Sequence, residues 1–492
     1  MSAQRRGARA GVIAAALAAL SVSALSGCAT SGGLAPRAHL ASADHLAASQ
    51  TLSRAEIGQT WPAQQWWTSL GDPQLDRLIE AGLDGSPSLQ VAQARMRLAL
   101  AAARSARAAR FPQIDVGGSS TRELYPSHSF IPPPYAGTWN TLNELSSTLN
   151  FEIDFWGKNR AAYEQALGES RAAALDAEAA RIALSAAIAH TYIALERGYL
   201  ERDVTRTLLE ERRQIYDLTR ERNTAGIDSR LEVKQAESAL PDAEERLTQL
   251  DEAIDLTRNA LAALVGQGPD RGRSIARPAL AALPDVRLPS RLPAELLGRR
   301  PDILALRWRV ESAQHGIASA KADFYPNVDL TALAGFEALG MGAFFAAANR
   351  EVSAGPAVTL PIFDAGRRRA NLAARDAEYD IAVEQYEQAL ADALRDVADQ
   401  LTSLRSIAEQ RSEQRDGLAT AQDAYDLALL RYRDGVGNYL QVLTTHEQLL
   451  AQRELDADLR ARAWDVSVDL ERALGGGFVP SSAEQPPPIA AR

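Results

Sequence analysis

A short helix–turn–helix segment occurs twice in this chain of 492 residues. The first copy covers residues 222–233 and reads RNTAGIDSRLEV, and the second covers residues 431–442 and reads RYRDGVGNYLQV. Their central glycines, Gly226 and Gly435, lie 209 positions apart, and each can take the left-handed conformation that ends a helix. A segment repeated at a fixed distance predicts two similar halves, each built around a hairpin of helices.

The residues after each glycine predict the start of a second helix. Ser229 and Asn438 are suitable N-cap residues, and Glu232 and Gln441 follow three positions later, as in a capping box. Each copy is therefore expected to end one helix and to begin another within a few residues.

Long proline-free segments predict very long helices on both sides of the tips. Residues 157–222 contain no proline, and 118 residues separate Pro361 from Pro480. Apolar residues in the first segment recur at spacings of four and three, which is typical of a coiled coil. About 65 residues at ~1.5 Å each would span nearly ~100 Å, and a helix of that length needs a packed neighbour to persist.

Each half also contains two segments with a period of two. Residues 113–122 and 145–155 alternate in the first half, and residues 328–336 and 358–362 alternate in the second. Strands of about ten residues with one apolar and one polar face suit the wall of a lipid-embedded β-barrel. A soluble β-sandwich would show the same alternation.

Four strands cannot close a barrel, because known barrels need about eight or more and an open edge would leave backbone groups unpaired in lipid. We therefore expect the chain to oligomerise before it inserts, with two, three or four copies supplying 8, 12 or 16 strands. No stretch after the first 27 residues reaches the roughly 18 apolar residues of a membrane helix, so any crossing is expected to use strands.

The first 27 residues have the pattern of a secretory signal, with three arginines before an apolar segment at residues 11–25. The segment ends in LSGC, which resembles a bacterial lipobox and contains the only cysteine, Cys28. A single cysteine excludes an internal disulfide, so we predict that Cys28 carries a diacylglycerol and an N-acyl chain. Ala29 follows it, and in this lipoprotein class the lack of an aspartate there implies sorting to the outer membrane.

Charge and motifs exclude several classes of function. Without the three arginines of the signal, 50 basic residues remain against 63 acidic ones, a formal net charge of −13. Nucleic acid is therefore not an expected partner, since phosphate binding needs clustered lysine and arginine. No HExxH, Walker or GxSxG motif indicates an enzyme. The six histidines have no metal-ligand spacing: His39, His45, His128, His190, His315 and His446.

These patterns predict a mainly α fold, with long helical hairpins and four strands per chain. They also divide the chain into six segments. The segments are a signal peptide (1–27), a lipid-anchored tether (28–60), a first repeat of helix, two strands and long hairpin (61–265), a linker (266–293), a second repeat (294–474) and a mobile tail (475–492).

Several motifs together resemble the TolC-like outer-membrane efflux factors. They are WW at 66–67, DP at 72–73, DFWG at 154–157, RRPD at 299–302, the FP and YP that end the first helix of each half, and the paired tips. Cys28 places the chain with the NodT-type, OprM-like lipoproteins of that family. The resemblance implies a homotrimer whose 12 strands form a barrel in the Gram-negative outer membrane, continued by an α-helical tunnel across the periplasm.

The function that the resemblance implies is conduction, without catalysis and without a cofactor. An inner-membrane pump of the RND type would pass substrate through a periplasmic adaptor protein. The substrate, whether a drug, a toxic compound or a metabolite, would leave through the tunnel, and the sequence does not name it. A lipid-anchored coiled-coil scaffold without a pore is the alternative.

The resemblance also implies functional residues near the tips. The adaptor would contact Ala225, Gly226, Ile227, Asp434, Gly435 and Val436. The closed end of the tunnel would lie just past the second tip, where Leu440 matches a leucine ring of the family. Thr444 stands at the position of the family's aspartate ring, and Glu447 stands where related channels can carry a basic residue. We therefore expect an aperture without a salt bridge, which is either a looser gate or one held closed by packing of Leu440.

Two further sets of residues are predicted to face the channel interior or the membrane. Acidic residues on the polar strand faces would give an acidic lumen: Asp115, Glu152, Asp154 and Asp329. Basic residues begin the long helices, where the helix dipole favours anions: Lys158, Arg160, Arg367, Arg368 and Arg369. Something else must compensate these cations, and lipid phosphates are candidates beside plain solvation.

Overall fold

The computed structural model describes most of the chain outside its N-terminal segment. The described residues are 33–40, 61–128, 130–281, 298–482 and 484–486. The predicted signal peptide, the lipidation site Cys28 and His45 lie outside the described residues, as do parts of the predicted tether and linker.

The described residues contain eight α-helices, four strands and two short 3₁₀ helices. In the first half these are a 3₁₀ helix (Trp66–Leu70), α1 (Pro73–Gly85), α2 (Pro87–Ala108), β1 (Gln113–Leu124), β2 (Trp139–Glu152), α3 (Lys158–Thr224), α4 (Arg230–Leu264) and α5 (Pro269–Arg273). In the second half they are α6 (Pro301–Ala322), β3 (Asn327–Leu339), a 3₁₀ helix (Ala347–Asn349), β4 (Arg350–Thr359), α7 (Arg367–Arg433) and α8 (Tyr439–Ala473).

The long helices confirm the internal repeat and extend it beyond the tips. Helices α3 and α7 both have 67 residues, and α4 and α8 both have 35. The first residues of each pair are again 209 positions apart. At ~1.5 Å per residue, each 67-residue helix is about 100 Å long. Pro241 lies inside α4, and the helix continues through it.

Both tips form the predicted glycine turn and N-cap, and the first also forms the complete capping box. Gly226 and Gly435 have φ values of 74° and 77°, the left-handed region that ends a helix cheaply only at glycine. Ser229 forms a reciprocal capping box with Glu232 at the start of α4. At the start of α8, the side-chain oxygen of Asn438 accepts a hydrogen bond from the backbone N–H of residue 441 at 3.0 Å.

The four strands form one antiparallel sheet in the order β1-β2-β3-β4. Strand β2 begins six residues earlier than the alternation at 145–155 predicted, and it ends at Glu152. It ends early because the carboxylate of Asp154 caps the next helix rather than continuing the strand. Strands β1 and β4 are the two edges of the sheet, and each has one side without a hydrogen-bonded neighbour among the described residues.

The main hydrophobic core lies near the middle of α3, where α1 and the first 3₁₀ helix pack against it. Trp67, Leu75, Ile188 and Tyr192 are among its fully buried side chains. This core is about halfway between the sheet and the tips, so it fixes the direction of the long hairpins relative to the shorter helices.

The described part of the C-terminal segment corrects the prediction of a mobile tail from residue 475. Phe478 is buried in a cluster with Leu175, Ile182 and Trp308. The indole Nε1 of Trp308 also donates a hydrogen bond to the carbonyl oxygen of Glu484 at 2.8 Å. An aromatic side chain with an apolar site on the helices outweighs the flexibility that the neighbouring glycines would otherwise give.

Candidate functional site

The six predicted tip residues lie at the far end of the hairpins, and all of them are exposed. A Cβ atom added to Gly226 would meet nothing within 4 Å, so its positive φ, and not close packing, explains the glycine. Ile227 and Val436 are 61% and 68% exposed. The tips therefore present small and apolar groups, together with the Asp434 carboxylate, to solvent in the single chain.

A buried network that the sequence did not predict joins the two tips, and we name it the tip latch. It consists of Arg222, Asp228 and Tyr432. The Arg222 guanidinium donates to Asp228 Oδ2 at 2.8 Å and Oδ1 at 3.2 Å, and to the Tyr432 carbonyl at 2.6 Å. The Tyr432 hydroxyl donates to Asp228 and lies 3.0 Å from Thr219 Oγ1.

Electrostatics favours the charged form of the latch. Burial works to raise the pKa of Asp228, but hydrogen bonds from Arg222 and Tyr432 hold it below its ordinary value. Burial, with the Asp228 carboxylate, raises the pKa of Tyr432 to about 12. The latch is therefore an ion pair with a neutral phenol donor across the physiological pH range.

A second polar layer joins three of the long helices closer to the sheet. His446 and Arg453 on α8 contact the Glu211 carboxylate on α3 at 2.8 and 3.0 Å. Arg453 also donates to the side chain of Gln422 on α7 at 2.8 Å, and the His446 ring stacks on Tyr425. Helices α3, α7 and α8 are thus joined by ionic contacts in addition to apolar packing.

The three predicted aperture residues share one exposed stripe of α8. Leu440, Thr444 and Glu447 are exposed, while Val442 and His446 on the opposite side are buried. The Thr444 hydroxyl donates to the backbone carbonyl of Leu440 at 2.9 Å. The hydroxyl is thus engaged within its own helix, and Leu440 is left with its side chain 66% exposed.

The strand register places every acidic residue of the sheet on one face. Asp115, Glu152 and Asp329 lie on this polar face as predicted, and four further acids lie there that the sequence did not single out: Glu123, Glu144, Glu337 and Glu351. No lysine or arginine of the four strands lies on it. Two acidic pairs, Glu144 with Glu337 and Glu152 with Asp329, stand directly opposite each other. Like charges that stand directly opposite each other destabilise a sheet. Packing within the sheet therefore does not explain why these positions are acidic.

The other sheet face is apolar. Val116, Val352 and Val358 on this face are 74%, 77% and 67% exposed, and no acidic residue of the four strands shares it. A broad exposed apolar surface of this kind needs a partner or a lipid environment.

Asp154 corrects the predicted set of lumen residues. It follows β2, and its carboxylate accepts hydrogen bonds from the backbone N–H groups of Asn159 and Arg160 at 3.2 and 2.8 Å. Asp364 does the same at α7, accepting from Gly366 at 3.0 Å and Arg368 at 3.2 Å. These aspartates compensate the helix dipoles, so no lipid phosphate is needed for that purpose.

The predicted basic residues at the helix starts divide into two groups. Lys158 lies 3.6 Å from Glu152 and 3.5 Å from Asp323, and Arg368 lies 3.5 Å from Asp364. The other three have exposed side chains: Arg160, Arg367 and Arg369. The positive charges of Lys158 and Arg368 are thus compensated by acidic residues of the same chain.

Aromatic side chains gather where the sheet joins the helices. Trp156 stacks on Tyr325 with ring centroids 4.6 Å apart, and its Nε1 donates to the carbonyl of Pro326 at 2.9 Å. Phe155 and Phe363 are 66% and 88% exposed at the same level. Exposed aromatic residues at one level are typical of a membrane–water interface.

The described part of the predicted tether, residues 33–40, contains no helix or strand and lies against the helices. Leu34 packs beside Phe324 and Leu372 near the sheet, and Leu40 packs farther along α7. Between them, the backbone N–H groups of residues 37 and 38 both donate to Asp380 Oδ1 at 2.9 Å.

His190 forms an ionic contact between α3 and α8. Its Nδ1 lies 2.7 Å from Asp465 and its Nε2 lies 3.4 Å from Asp469. Hydrogen bonds to Asp465 and then Asp469 raise the pKa of His190 to about 9. Arg472, which lies 3.3 Å from Asp469, is the further charged group at this contact.

The raised pKa of His190 predicts a pH-dependent stability. Since the folded pKa exceeds the unfolded value of about 6.5, the stabilisation is fully present below pH ~6.5 and is lost as pH rises through ~9. Allowing for the partial exposure of the pair, we expect His190→Gln to cost about 1 kcal/mol near pH ~6.5 and almost nothing near pH ~10. Denaturation of both proteins followed by circular dichroism at the two pH values measures this. An equal difference at both would contradict the assignment.

Two other kinds of site, a membrane-spanning helix and a metal-binding cluster, are not found among the residues that the structure describes. Among the residues that the structure describes, no helix is both long enough and apolar enough to cross a bilayer. Within the same ranges, no group of three or more histidine, cysteine, aspartate or glutamate side chains could hold a metal ion.

Comparison with known proteins gives consistent matches over both halves. A sequence profile described as outer membrane efflux protein matches residues 78–267 and 292–476. The fusaric acid resistance protein FusA of Burkholderia cepacia is 42% identical over 370 residues, which cover 74% of this chain and 69% of FusA. The toluene efflux pump outer membrane protein TtgC of Pseudomonas putida is 32% identical over 420 residues, covering 84% of this chain and 85% of TtgC.

A solved structure shares the fold. The outer membrane protein VceC of Vibrio cholerae superposes with a TM-score of 0.79 at 37% identity, and the match covers 85% of this chain and 100% of VceC. Long hairpins and a small sheet in one chain are thus an arrangement that recurs in a solved outer-membrane protein.

Proposed function

This chain belongs to the outer membrane efflux protein family, and from that premise we propose how it assembles and conducts. It is the outer-membrane channel component of a tripartite efflux system. The observation that carries the proposal is the combination of a sheet with segregated faces and two 67-residue helices in one chain. The sheet can line a pore through lipid, and the long helices can extend that pore by about 100 Å.

Three copies form the conduit. The open edges of β1 and β4 run in opposite directions, so β4 of one copy can pair with β1 of the next, and three copies give 12 strands in a closed barrel. Closure satisfies the edge backbone groups that would otherwise be unpaired in lipid. The long helices of the three copies then enclose a tunnel below the sheet.

The polar face of the sheet lines the lumen and the apolar face contacts lipid. Seven carboxylates and no basic side chain on the polar face of the four strands make the lumen attractive to cations and repulsive to anions. This orientation also explains why like charges stand opposite each other, because water in the lumen can solvate them.

The tips contact a periplasmic adaptor protein, and an inner-membrane pump of the RND type supplies the substrate. Gly226 leaves open space at its tip for another helical hairpin to approach, and the exposed Ile227 and Val436 offer apolar contact. The cargo belongs to the broad group of drugs, toxic compounds and metabolites. Toluene and fusaric acid appear in the names of two relatives.

A lipid on Cys28 anchors the chain at the inner leaflet of the outer membrane. Leu34 follows Cys28 by six positions, and a segment of that length can span at most ~20 Å. Leu34 packs beside Phe324, at the level where the helices meet the sheet. The anchor is therefore within reach of the aromatic level that marks the membrane boundary. The exposed Arg160, Arg367 and Arg369 can contact lipid phosphates there.

Leu440 closes the periplasmic aperture by apolar packing. Leu440→Ala is expected to raise single-channel conductance in a planar bilayer, because the three leucine side chains no longer fill the narrow end. Leu231 is the matched control, since it is the repeat equivalent of Leu440, 209 positions earlier, and is 63% exposed. A conductance of Leu440→Ala no higher than that of wild type or of Leu231→Ala would reject this aperture.

Deletion of the gene followed by a susceptibility screen tests the function. Drugs, dyes, metals and organic acids form the panel, and we expect lowered resistance to some of them, restored by the wild-type chain. A scaffold without a pore would restore envelope integrity without conductance by the purified protein. Unchanged resistance to the whole panel, together with no conductance, would contradict the proposal.

A further inference from the structure

The apolar face of the sheet carries two arginines, and both lie at the end of the strands away from the helices. Arg122 is two residues before the end of β1, and Arg350 is the first residue of β4. Both side chains are exposed. Every acidic residue of the four strands lies on the opposite face, so neither arginine has an acidic strand neighbour on its own face.

An arginine on a lipid-facing surface is tolerated only at a particular depth. Its cost is about 2–4 kcal/mol at the bilayer midplane and falls to about 0–1 kcal/mol near the interface. Two arginines at the loop end of the strands, and none on the rest of this face, therefore place that end at the outer headgroup level. A guanidinium there finds phosphate, with which it can form two parallel hydrogen bonds.

The surroundings of Arg350 add an apolar part to this surface. Arg350 stands directly opposite Phe336 on the same face. The Phe336 ring lies 5.5 Å from Phe345 and 6.3 Å from Phe344, between ring centroids. Phe345 is 66% exposed. An exposed ring beside a cation, backed by two less exposed rings, matches a lipid that has a phosphate headgroup above acyl chains.

The strands that carry the two arginines are far apart within one chain but become neighbours between copies of the proposed trimer. In one sheet, β1 and β4 are separated by three strand spacings, about 14 Å. In the closed trimer of the proposed function, on which this inference rests, β1 of one copy lies beside β4 of the next, one spacing or about 5 Å away. Since the apolar faces must match, Arg122 and Arg350 then share the outer face of each seam. Two adjacent cations repel unless an anion lies between them.

We propose that each seam between subunits binds a phosphorylated glycolipid of the outer leaflet, with Arg122 of one copy and Arg350 of the next on its phosphate groups and the phenylalanine cluster on its acyl chains. The site is incomplete in a single chain, because each copy supplies half of the cation pair. Bound lipid thereby bridges neighbouring copies at the point where the sheet of each chain ends.

Binding of fluorescent diphosphoryl lipid A to the purified full-length protein in detergent micelles tests this proposal. We expect Arg122→Gln and Arg350→Gln each to weaken binding about fivefold. Removing the phosphates from the lipid should weaken wild-type binding at least as much, and inorganic phosphate at the same concentration should not compete. Arg206→Gln is the control, since Arg206 is an exposed arginine of α3 outside the sheet.

The possible outcomes are distinct. Equal binding of the phosphate-free lipid, or wild-type affinity in the double variant, would overturn the lipid site, as would an equal loss in Arg206→Gln. Conductance is recorded from the same preparations. A wild-type protein that forms no pore would contradict the proposed function, whereas a pore without phosphate-dependent lipid binding would contradict this inference alone.

Discussion

Replacing Arg222 by alanine is expected to destabilise both tips by about 3–5 kcal/mol, because it leaves the mostly buried Asp228 carboxylate without its counter-charge and the Tyr432 carbonyl without its donor. The side chain of Arg222 is only 9% exposed, so solvent cannot replace it. The loss of stability is confined to the ends of the hairpins. We expect backbone amides on both sides of each tip to exchange with deuterium at least about a hundredfold faster.

A double-mutant cycle separates the latch from general damage to the helix. Arg222→Ala with Asp228→Ala should cost less than the sum of the two single changes, because the carboxylate left unpaired by the first change is absent in the second. Arg206→Ala, at a 67% exposed position of the same helix, should change stability by no more than about 0.5 kcal/mol. Additive costs in the cycle would show that the two side chains do not act together.

Replacing Asp72 by alanine is expected to have an effect of similar size on the whole chain. The carboxylate is buried and accepts hydrogen bonds from the Gln74 backbone at 2.9 Å, the Tyr192 hydroxyl at 2.6 Å and the Ala279 backbone at 2.7 Å. Alanine removes the cap of α1 and leaves the buried Tyr192 hydroxyl and the Ala279 N–H without their acceptor, which predicts a loss of about 3–5 kcal/mol. Thermal unfolding followed by circular dichroism measures it.

Two variants check the origin of that loss. Tyr192→Phe removes one of the three donors and should cost about 1–1.5 kcal/mol. Asp84→Ala changes an exposed aspartate of the same helix and should stay within about 0.5 kcal/mol of wild type. If Asp72→Ala were as mild as Asp84→Ala, the carboxylate would not be the link between α1, α3 and the segment after α5.

The sequence was sufficient for features that local chemistry determines. The positive φ that glycine favours, the capping side chains and the absence of proline predicted the two tips and the helices beside them, and residues 226 and 435 confirm this. The period of two predicted four strands. These features depend on residues a few positions apart, so a single sequence contains the signal for them.

Features that depend on pairing between distant segments were not predictable in the same way. The polar face gathers acids from all four strands, and only the register shows that Glu144 stands opposite Glu337. The tip latch joins Arg222 to Tyr432, 210 residues away. A buried arginine next to a tip has the same local pattern as an exposed one, so no local signal distinguishes it.

Two predictions were wrong although the sequence contained signals against them. Asp154 stands three residues before the glycine that precedes α3, and from that position its carboxylate can cap the helix. Asp364 stands two residues before the glycine that precedes α7 and caps that helix in the same way. Phe478 is the one aromatic residue between position 475 and the C-terminus. A single large apolar side chain in a glycine-rich segment indicates a contact with the core.

Conductance recorded from a preparation of known mass tests most directly whether three chains complete one conduit. The purified full-length protein in detergent should have the mass of three copies by native mass spectrometry. The same preparation should give steady, cation-selective currents in a planar bilayer. A stable monomer that stays in solution without detergent once its acyl chains are removed, and that conducts no current, would contradict the assembly on which the lumen, the aperture and the lipid site all depend.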